Sequence, residues 1–116
     1  MDSFNYKLLT NSKNFKDLFL DEDNFKIYCD QGWYFVILSF LIAASNRNRQ
    51  KDLNLKKKEI KQKYGTLNIK LVNSDEYVDG LADLAEIKSS YTCEVCGNIG
   101  STKNIRGKFI TKCEKC

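Results

Sequence analysis

Four cysteines in two pairs constrain this chain more than any other feature of its sequence. Cys93 and Cys96 form one C-x-x-C pair, Cys113 and Cys116 form a second, and sixteen residues separate the two pairs. A two-residue spacer lets one tight turn present two sulfur atoms to the same metal ion, and this separation lies within the range of four-cysteine zinc sites. The pattern therefore predicts one closed structural site in which all four thiolates bind Zn²⁺.

Two other interpretations of the cysteines are open at this point. The pairs could form disulfides or remain free thiols, although a reducing compartment favours metal. A catalytic zinc ion keeps one position open for water, whereas four thiolates fill the coordination shell. The chain also has no histidine, the commonest acid/base residue. The fifth cysteine, Cys29, precedes an apolar segment, and we expect it to be a small buried hydrophobic residue rather than a nucleophile.

The size and composition of the chain predict one core with a small metal-bound appendage. With 116 residues, of which 42% are hydrophobic, the chain can bury a core, and a metal adds stability that short chains need. We expect an α+β core domain over residues 1–90 and a four-cysteine zinc ribbon over residues 91–116. The formal charge of +4 falls to about +2 when four thiolates hold one zinc ion, so net charge is a weak argument for nucleic-acid binding.

Hydrophobic periodicity predicts the elements of the core. The dense apolar run Trp33–Ala44 is expected to be a buried helix at the centre of the core. The predicted elements are a helix capped by Ser12, an apolar helix from Gln31 to near Asn46, a helix over Asp52–Tyr64, a strand over Thr66–Val72, and a helix over Ser74–Ser89 capped by Ser74. The inner face of the last helix is expected to hold Tyr77, Val78, Leu81, Leu84, Ala85 and Lys88. In the ribbon, Asn104–Arg106 and Lys108–Thr111 are expected to form a hairpin around Gly107, and Gly97 to adopt a positive φ.

Neither a signal peptide nor a membrane span is expected. Met1–Thr10 carries an acid and has no apolar core, and the uncharged run Gln31–Asn46 is shorter than the about 20 residues of a spanning helix. Paired C-x-x-C motifs suit a reducing compartment. We therefore expect a cytoplasmic protein that does not contact a membrane.

Three separated motifs carry a resemblance to a known family. They are Gly32-Trp33 before the apolar helix, Lys61-Gln62-Lys63-Tyr64-Gly65-Thr66-Leu67 in the middle of the chain, and Cys93-Glu94-Val95-Cys96-Gly97 at the first cysteine pair. Over about residues 28–116 the chain resembles a family of small proteins common in bacteriophage, prophage and plasmid genomes. The resemblance implies a mobile genetic element in a bacterial host cell and a C-terminal zinc ribbon, and it implies no activity.

The first functional hypothesis is a protein-binding module, such as an inhibitor of a bacterial defence system or host enzyme. The sequence shows no catalytic constellation and no glycine-rich phosphate loop, so we do not expect an enzyme. Aromatic residues dominate interface hot spots, which makes Tyr6, Phe25, Tyr28 and Phe109 candidate anchors if they are exposed rather than core. An acidic helix face could meet a basic partner, or could simply be solvated; it comprises Asp75, Glu76, Asp79, Asp83 and Glu86.

The second functional hypothesis is nucleic-acid binding. Residues 46–70 hold nine basic side chains against two acids, and contacts to phosphates need such a cluster. The candidate contacts on the predicted basic helix over residues 47–63 are Arg47, Arg49, Lys51, Lys56, Lys57, Lys58, Lys61 and Lys63. In the ribbon, Arg106 and Lys108 beside Phe109, with Lys103 and Lys112, could hold a backbone while the ring stacks on a base. A lysine-rich helix that is merely solvated is the plain alternative.

Overall fold

The structure, a computed structural model, describes residues 6, 9, 26–53 and 55–116, with residues 26 and 56–58 described by their backbone alone. Within these residues the fold is α+β, as predicted, with two helices and two small sheets. In chain order the elements are β1 (Lys26–Tyr28), a 3-10 turn (Gln31–Trp33), α1 (Tyr34–Lys51), β2 (Lys56–Lys63), β3 (Thr66–Val72), α2 (Glu76–Ser89), β4 (Ser101–Ile105) and β5 (Lys108–Lys112). The predicted helix capped by Ser12 lies outside the described residues.

Helix α1 is the centre of the core, as its apolar sequence predicts. The Asp30 side chain accepts a hydrogen bond from the Gln31 N–H and caps the 3-10 turn that leads into the helix. The side chains of Trp33, Ile37 and Leu41 are completely buried. The helix runs five residues past the predicted end near Asn46. Its last turn carries Arg49 and Lys51, whose charges are favourable beside the negative end of the helix dipole.

The predicted helix over Asp52–Tyr64 is wrong, because Lys56–Lys63 forms strand β2. Asp52 adopts a left-handed conformation with φ 51°, which ends α1. The side chain of Asn48 then accepts the Leu55 N–H, and the chain reverses into the sheet. Leu55 and Ile60 are fully buried, whereas Tyr64 is 73% exposed. Pairing on both sides of β2 overrides the helix preference of its lysines.

Strand β2 is the central strand of a three-stranded sheet with the order β1-β2-β3. It pairs in parallel with β1 and antiparallel with β3, placing Ile60 beside Ile27 on one side and Ile69 on the other. The turn from β2 to the predicted strand β3 contains Tyr64 and Gly65, at φ 53° and 84°. Two consecutive positive φ angles match the twist of an antiparallel hairpin.

Helix α2 begins at Glu76, two residues after the start of the predicted range. Its inner face is only partly as predicted: Val78 and Ala85 are buried and Leu81 packs against the core. Asp75, rather than Ser74, is the N-cap, and its carboxylate accepts the Val78 N–H. The buried residues of α2 are Val78, Ala82, Ala85 and Ser89. The predicted inner-face residues Tyr77, Leu84 and Lys88 are exposed instead. The small side chains of Ala82, Ala85 and Ser89 allow a close approach to the sheet, where the Leu67 N–H donates to Ser89 Oγ.

The ribbon contains the predicted hairpin. Strands β4 and β5 pair antiparallel, with Asn104 opposite Phe109 and Ile105 opposite Lys108. The connecting residues Arg106 and Gly107 have φ 54° and 83°, the pattern of a two-residue hairpin turn. The hairpin projects from between the two cysteine pairs and therefore carries the second pair back to the first.

Candidate metal centre

The first cysteine pair lies in a tight turn that follows α2. The Cys93 N–H donates to the Asn98 carbonyl at 2.8 Å, and the Gly97 N–H donates to the Cys93 carbonyl at 2.9 Å. Gly97 has φ 83°, as predicted for the residue that closes the turn. This backbone conformation is easy for glycine and costly for most other residues. The turn directs both sulfur atoms to one side.

The second cysteine pair follows β5. The Cys116 N–H approaches the Cys113 carbonyl at 3.4 Å, which turns the chain end back. The Glu94 N–H donates to the Thr111 carbonyl at 3.0 Å, so the first turn is tied to the end of β5. Two local turns and one hairpin therefore bring together cysteines that are far apart in sequence.

The four sulfur atoms form one cluster, in which all lie within 4.8 Å of one another. The Sγ atoms of Cys96 and Cys113 are 3.5 Å apart, far longer than the about 2.0 Å of a disulfide bond. Tetrahedral zinc with Zn–S bonds of about 2.3 Å needs sulfur atoms about 3.8 Å apart. Cys93 and Cys113 are buried and Cys96 and Cys116 exposed, so the cluster lies at the surface of the ribbon. The cluster can hold a metal ion, and each cysteine supplies one ligand atom.

The pKa values of the four thiols diverge because the sulfur atoms lie close to one another and to backbone N–H groups. Burial would raise the pKa of Cys93, but hydrogen bonds from the backbone N–H groups of Cys113, Cys96 and Val95 outweigh burial and lower it to about 6. The thiol of Cys116 hydrogen-bonds to those of Cys113 and Cys96, which raises its pKa to about 12. A bound cation removes this conflict because it stabilises four thiolates at once.

The turn before α1 packs directly on the first cysteine turn. The Gly32 N–H donates to the Glu94 carbonyl at 2.6 Å, and the indole Nε1–H of Trp33 donates to the Thr92 carbonyl at 2.9 Å. The Asp30 N–H donates to the Glu94 side chain at 3.1 Å. The cysteine cluster is therefore attached to the N-terminal end of the most buried helix in the described core.

A second contact joins the ribbon hairpin to the turn between β2 and β3. The hydroxyl of Thr111, which is fully buried, donates to the Gly65 carbonyl at 2.6 Å. The Gln62 side chain donates to the Phe109 carbonyl at 3.3 Å. A Cβ atom at Gly65 would lie 2.9 Å from the backbone of Phe109, so this close approach requires glycine. The middle motif of the sequence is thus a docking point for the ribbon.

The basic contacts predicted over residues 47–63 are divided between two elements. Arg47, Arg49 and Lys51 lie on the C-terminal part of α1, and Lys61 and Lys63 on β2. Arg47 is engaged within the molecule, because its guanidinium lies 3.0 Å from the Asp75 carboxylate and 4.5 Å from the centre of the Tyr77 ring. The side chains of Lys56, Lys57 and Lys58 lie outside the described part of the chain. A continuous basic helix over residues 47–63 is therefore not part of this structure.

The ribbon hairpin separates its lysines from its aromatic residue. Strand alternation places Lys103, Lys108 and Lys112 on one face with Ile105 and Ile110. Phe109 belongs to the opposite face, towards Gly65, and is 42% exposed. We call the first set the lysine face of the hairpin. It borders a cleft of about 790 Å³ lined by Lys103, Lys112, Lys115, Ile99, Asn98, Gly100, Ser101, Cys113 and Glu114.

Of the predicted aromatic anchors, Tyr28 is 55% exposed, Tyr6 is packed against the core, and Phe25 lies outside the described residues. A more extended apolar surface lies on α2, where Tyr77, Gly80, Leu84 and Ile87 share one side of the helix. We call these four residues the outer face of α2. Their side chains, apart from glycine, are 49% to 58% exposed. The spacing i, i+3, i+7, i+10 is a helix-face pattern in the sequence, and the prediction that Tyr77 and Leu84 face the core is wrong.

Cys29 is half-buried and packs against the core. Burial, with a smaller contribution from the nearby carboxylate of Glu94, raises its pKa to about 12. A thiol with this pKa stays protonated at neutral pH, which suits packing rather than nucleophilic chemistry.

Among the described residues, no helix has the length and apolar character needed to cross a membrane. Comparison of the chain with protein-family models, with curated proteins and with solved structures finds no significant match.

Proposed function

We propose that this protein is a non-enzymatic binding module whose ribbon is closed by a structural zinc ion and whose partner is a protein. We further propose that it belongs to a bacterial mobile element and acts in the host cytoplasm, where it occupies a surface of a host enzyme or defence protein and inhibits it. The setting comes from the motif resemblance, whereas the mode of action comes from the surfaces described above.

The chemistry of the cluster supports zinc. Four thiolates in a tetrahedron are the donor set of structural zinc sites, and they leave no position open for water. Zinc would hold the two cysteine turns together and would take no part in catalysis. Its binding free energy would act as folding free energy for the ribbon.

The observation that carries the protein-binding proposal is the outer face of α2. Tyr77, Leu84 and Ile87 lie half-exposed along one side of a helix whose other side is buried in the core. Tyr91, just beyond the helix, is 67% exposed. Single exposed apolar residues are normal, but three large ones along one side of a helix are typical of an interaction surface. Tyrosine is also enriched among interface hot spots.

Nucleic-acid binding is the second candidate, and the lysine face of the hairpin favours it. One side of the exposed hairpin is lined by Lys103, Lys108 and Lys112, and Lys115 lies beside the same cleft. Such a surface suits phosphate contacts without base reading, because no aromatic residue of the hairpin shares that face. Binding of this kind would weaken steeply with salt.

The test is affinity capture from a bacterial lysate by tagged variants, with and without nuclease. We expect one defined protein to be captured by the parent and by Phe35→Ser, which removes an exposed ring from α1, and to be lost with Leu84→Ser/Ile87→Ser. Capture that survives the α2 double variant but disappears with nuclease, or with Lys103→Glu/Lys112→Glu, would contradict the protein-binding proposal and support the second candidate.

A further inference from the structure

Gly80 lies in the middle of α2, at a position where the fold does not require glycine. A Cβ atom at this position would meet nothing within 4 Å, and Gly80 does not have a positive φ. Glycine inside a helix costs about 1 kcal/mol relative to alanine. The described part of the chain offers no compensating contact, because the missing side chain faces open space between Tyr77 and Leu84.

A glycine at the centre of an apolar row forms a notch between larger side chains. Tyr77 precedes Gly80 by one helical turn and Leu84 follows it by one, and both project from the same side. Without a Cβ, the backbone of α2 can be approached more closely here than anywhere else on the outer face. Close approach of another backbone is a common reason for glycine at such a position.

A row of acids runs beside the outer face. Glu76, Asp79, Asp83 and Glu86 each precede one residue of the apolar row, so the two rows are parallel and about 100° apart around the helix. Glu76 and Asp83 are exposed, Asp79 accepts a hydrogen bond from Ser74, and Glu86 accepts one from the Ile69 N–H. One flank of the apolar row is therefore negatively charged. On the other flank, the described helix carries a single lysine, Lys88, and the Arg47 guanidinium of α1 lies over the ring of Tyr77.

From the notch and the acidic row together, we infer that the outer face of α2 docks an amphipathic helix of a partner protein, which crosses at Gly80 and carries lysine or arginine along one flank. This inference rests on the proposed protein-binding function and specifies its partner. The apolar stripe of the partner helix covers Tyr77, Leu84 and Ile87, and its basic row meets Glu76 and Asp83. Charged flanks of this kind set orientation and exclude wrong partners.

A second copy of this chain fits the surface poorly. In an antiparallel pair of α2 helices related by a two-fold axis, each flank meets the same flank of the other copy. The row of Glu76 and Asp83 would then face an identical acidic row, and such like-charge contacts are unfavourable. An antiparallel second copy therefore does not supply the complementary surface, whereas a helix with a basic flank does.

The test uses two synthetic helical peptides as probes, one with leucine and lysine at helical spacing and one with glutamate replacing every lysine. Each is titrated into the zinc-loaded, isotope-labelled protein, and amide shifts are followed by NMR. We expect the leucine–lysine peptide to shift amides along α2 and the leucine–glutamate peptide to leave them unchanged. Asp83→Lys should weaken binding of the first peptide about tenfold.

Gly80→Ala is the decisive variant, since folding and binding should respond in opposite directions. Its melting temperature should rise, because alanine is the better helix residue, while its affinity for the leucine–lysine peptide should fall about tenfold. Unchanged affinity in Gly80→Ala, equal binding of both peptides, or a dimer in the free protein that Gly80→Ala dissolves would overturn the inference. If a captured host protein depends on Leu84 and Ile87 while the peptide does not compete with it, this inference fails and the protein-binding function stands.

Discussion

A Cβ atom at Gly32 would collide with the carbonyl oxygen of Cys93 and lie 2.5 Å from the carbonyl carbon of Glu94. Both atoms belong to backbone, which cannot rotate away as a side chain can. We therefore expect Gly32→Ala to lower the free energy of unfolding by about 2 kcal/mol, the cost of an overpacked contact. Urea denaturation of the zinc-loaded protein measures this loss. Gly80→Ala, which adds the same methyl group in open space, is the matched control, and similar losses in both variants would contradict the close approach at Gly32.

The charge of Asp75 is a second prediction at the scale of one residue. Its pKa is lowered, first by the hydrogen bond from the Val78 N–H and then by Arg47. A lowered pKa in the folded state means that the ionised carboxylate stabilises the protein above the unfolded pKa of about 4 and loses this effect as pH falls through the folded value. Asp75→Asn keeps a capping oxygen but removes the charge, so it should melt below the parent at pH 7. The difference should shrink at pH 3, and a constant difference between the two melting temperatures would refute the role of the charge.

At the scale of elements, the contact of Trp33 with Thr92 couples the core to the metal site. Trp33 is the chain's one tryptophan, it is fully buried, and its indole N–H reaches the residue before Cys93. Removing the proposed zinc ion with a chelator should loosen this turn and shift tryptophan emission to longer wavelength, because the indole becomes hydrated. Cys93→Ser should show the shifted emission without chelator, whereas Cys29→Ser should match the parent. An emission spectrum that does not respond to the chelator would show that core and ribbon are independent.

The contact between the ribbon hairpin and the turn from β2 to β3 gives a further prediction. Thr111→Val keeps the shape of the side chain but leaves the Gly65 carbonyl without its buried donor, which typically costs about 1–3 kcal/mol. Thr102 supplies the control: its hydroxyl lies 2.7 Å from that of Thr111, but its side chain is exposed. Chemical denaturation should show a clear loss for Thr111→Val and a smaller one for Thr102→Val. Equal losses would mean that the contact with Gly65 contributes little.

An element could be predicted from the sequence where one property of its residues, such as apolar character or turn chemistry, clearly dominated. Where two properties favoured different structures or different faces, the prediction failed. Trp33–Ala44 is apolar enough to indicate a buried helix, and Arg106-Gly107 between alternating residues indicates a hairpin. Strand β2 was misassigned because its lysines favour a helix, while its pairing with β1 and β3 depends on residues distant in sequence. In α2, apolar residues lie on two sides, so periodicity placed both Tyr77 and Val78 on the inner face, although only Val78 is buried. The cysteine spacing predicted the cluster, whereas the contacts of Gly32 and Gly65 with the ribbon appear only in three dimensions.

At the scale of the whole molecule, charge of opposite sign lies on different elements. The lysine face of the hairpin is basic, and the flank of α2 beside its outer face is acidic. The small net charge therefore hides one basic surface, suited to an acidic ligand, and one acidic surface, suited to a basic partner. Raising salt should weaken any nucleic-acid binding by the hairpin steeply, because counterions are released from phosphates. Binding on α2 combines an apolar row with charge contacts at Glu76 and Asp83, so it should weaken with salt less steeply. A titration in increasing salt against single-stranded DNA, and separately against the captured protein, distinguishes the two surfaces.

In our proposal, the structure of the ribbon depends on the four cysteines binding one zinc ion together. Native mass spectrometry of the protein purified without reducing agent tests it most directly, because bound zinc, two disulfides and four free thiols give different masses. We expect one zinc ion per chain in the parent and in Cys29→Ser, and none in Cys93→Ser or Cys113→Ser. A parent protein that carries two disulfides, or a Cys113→Ser protein that keeps its zinc, would contradict the four-cysteine centre.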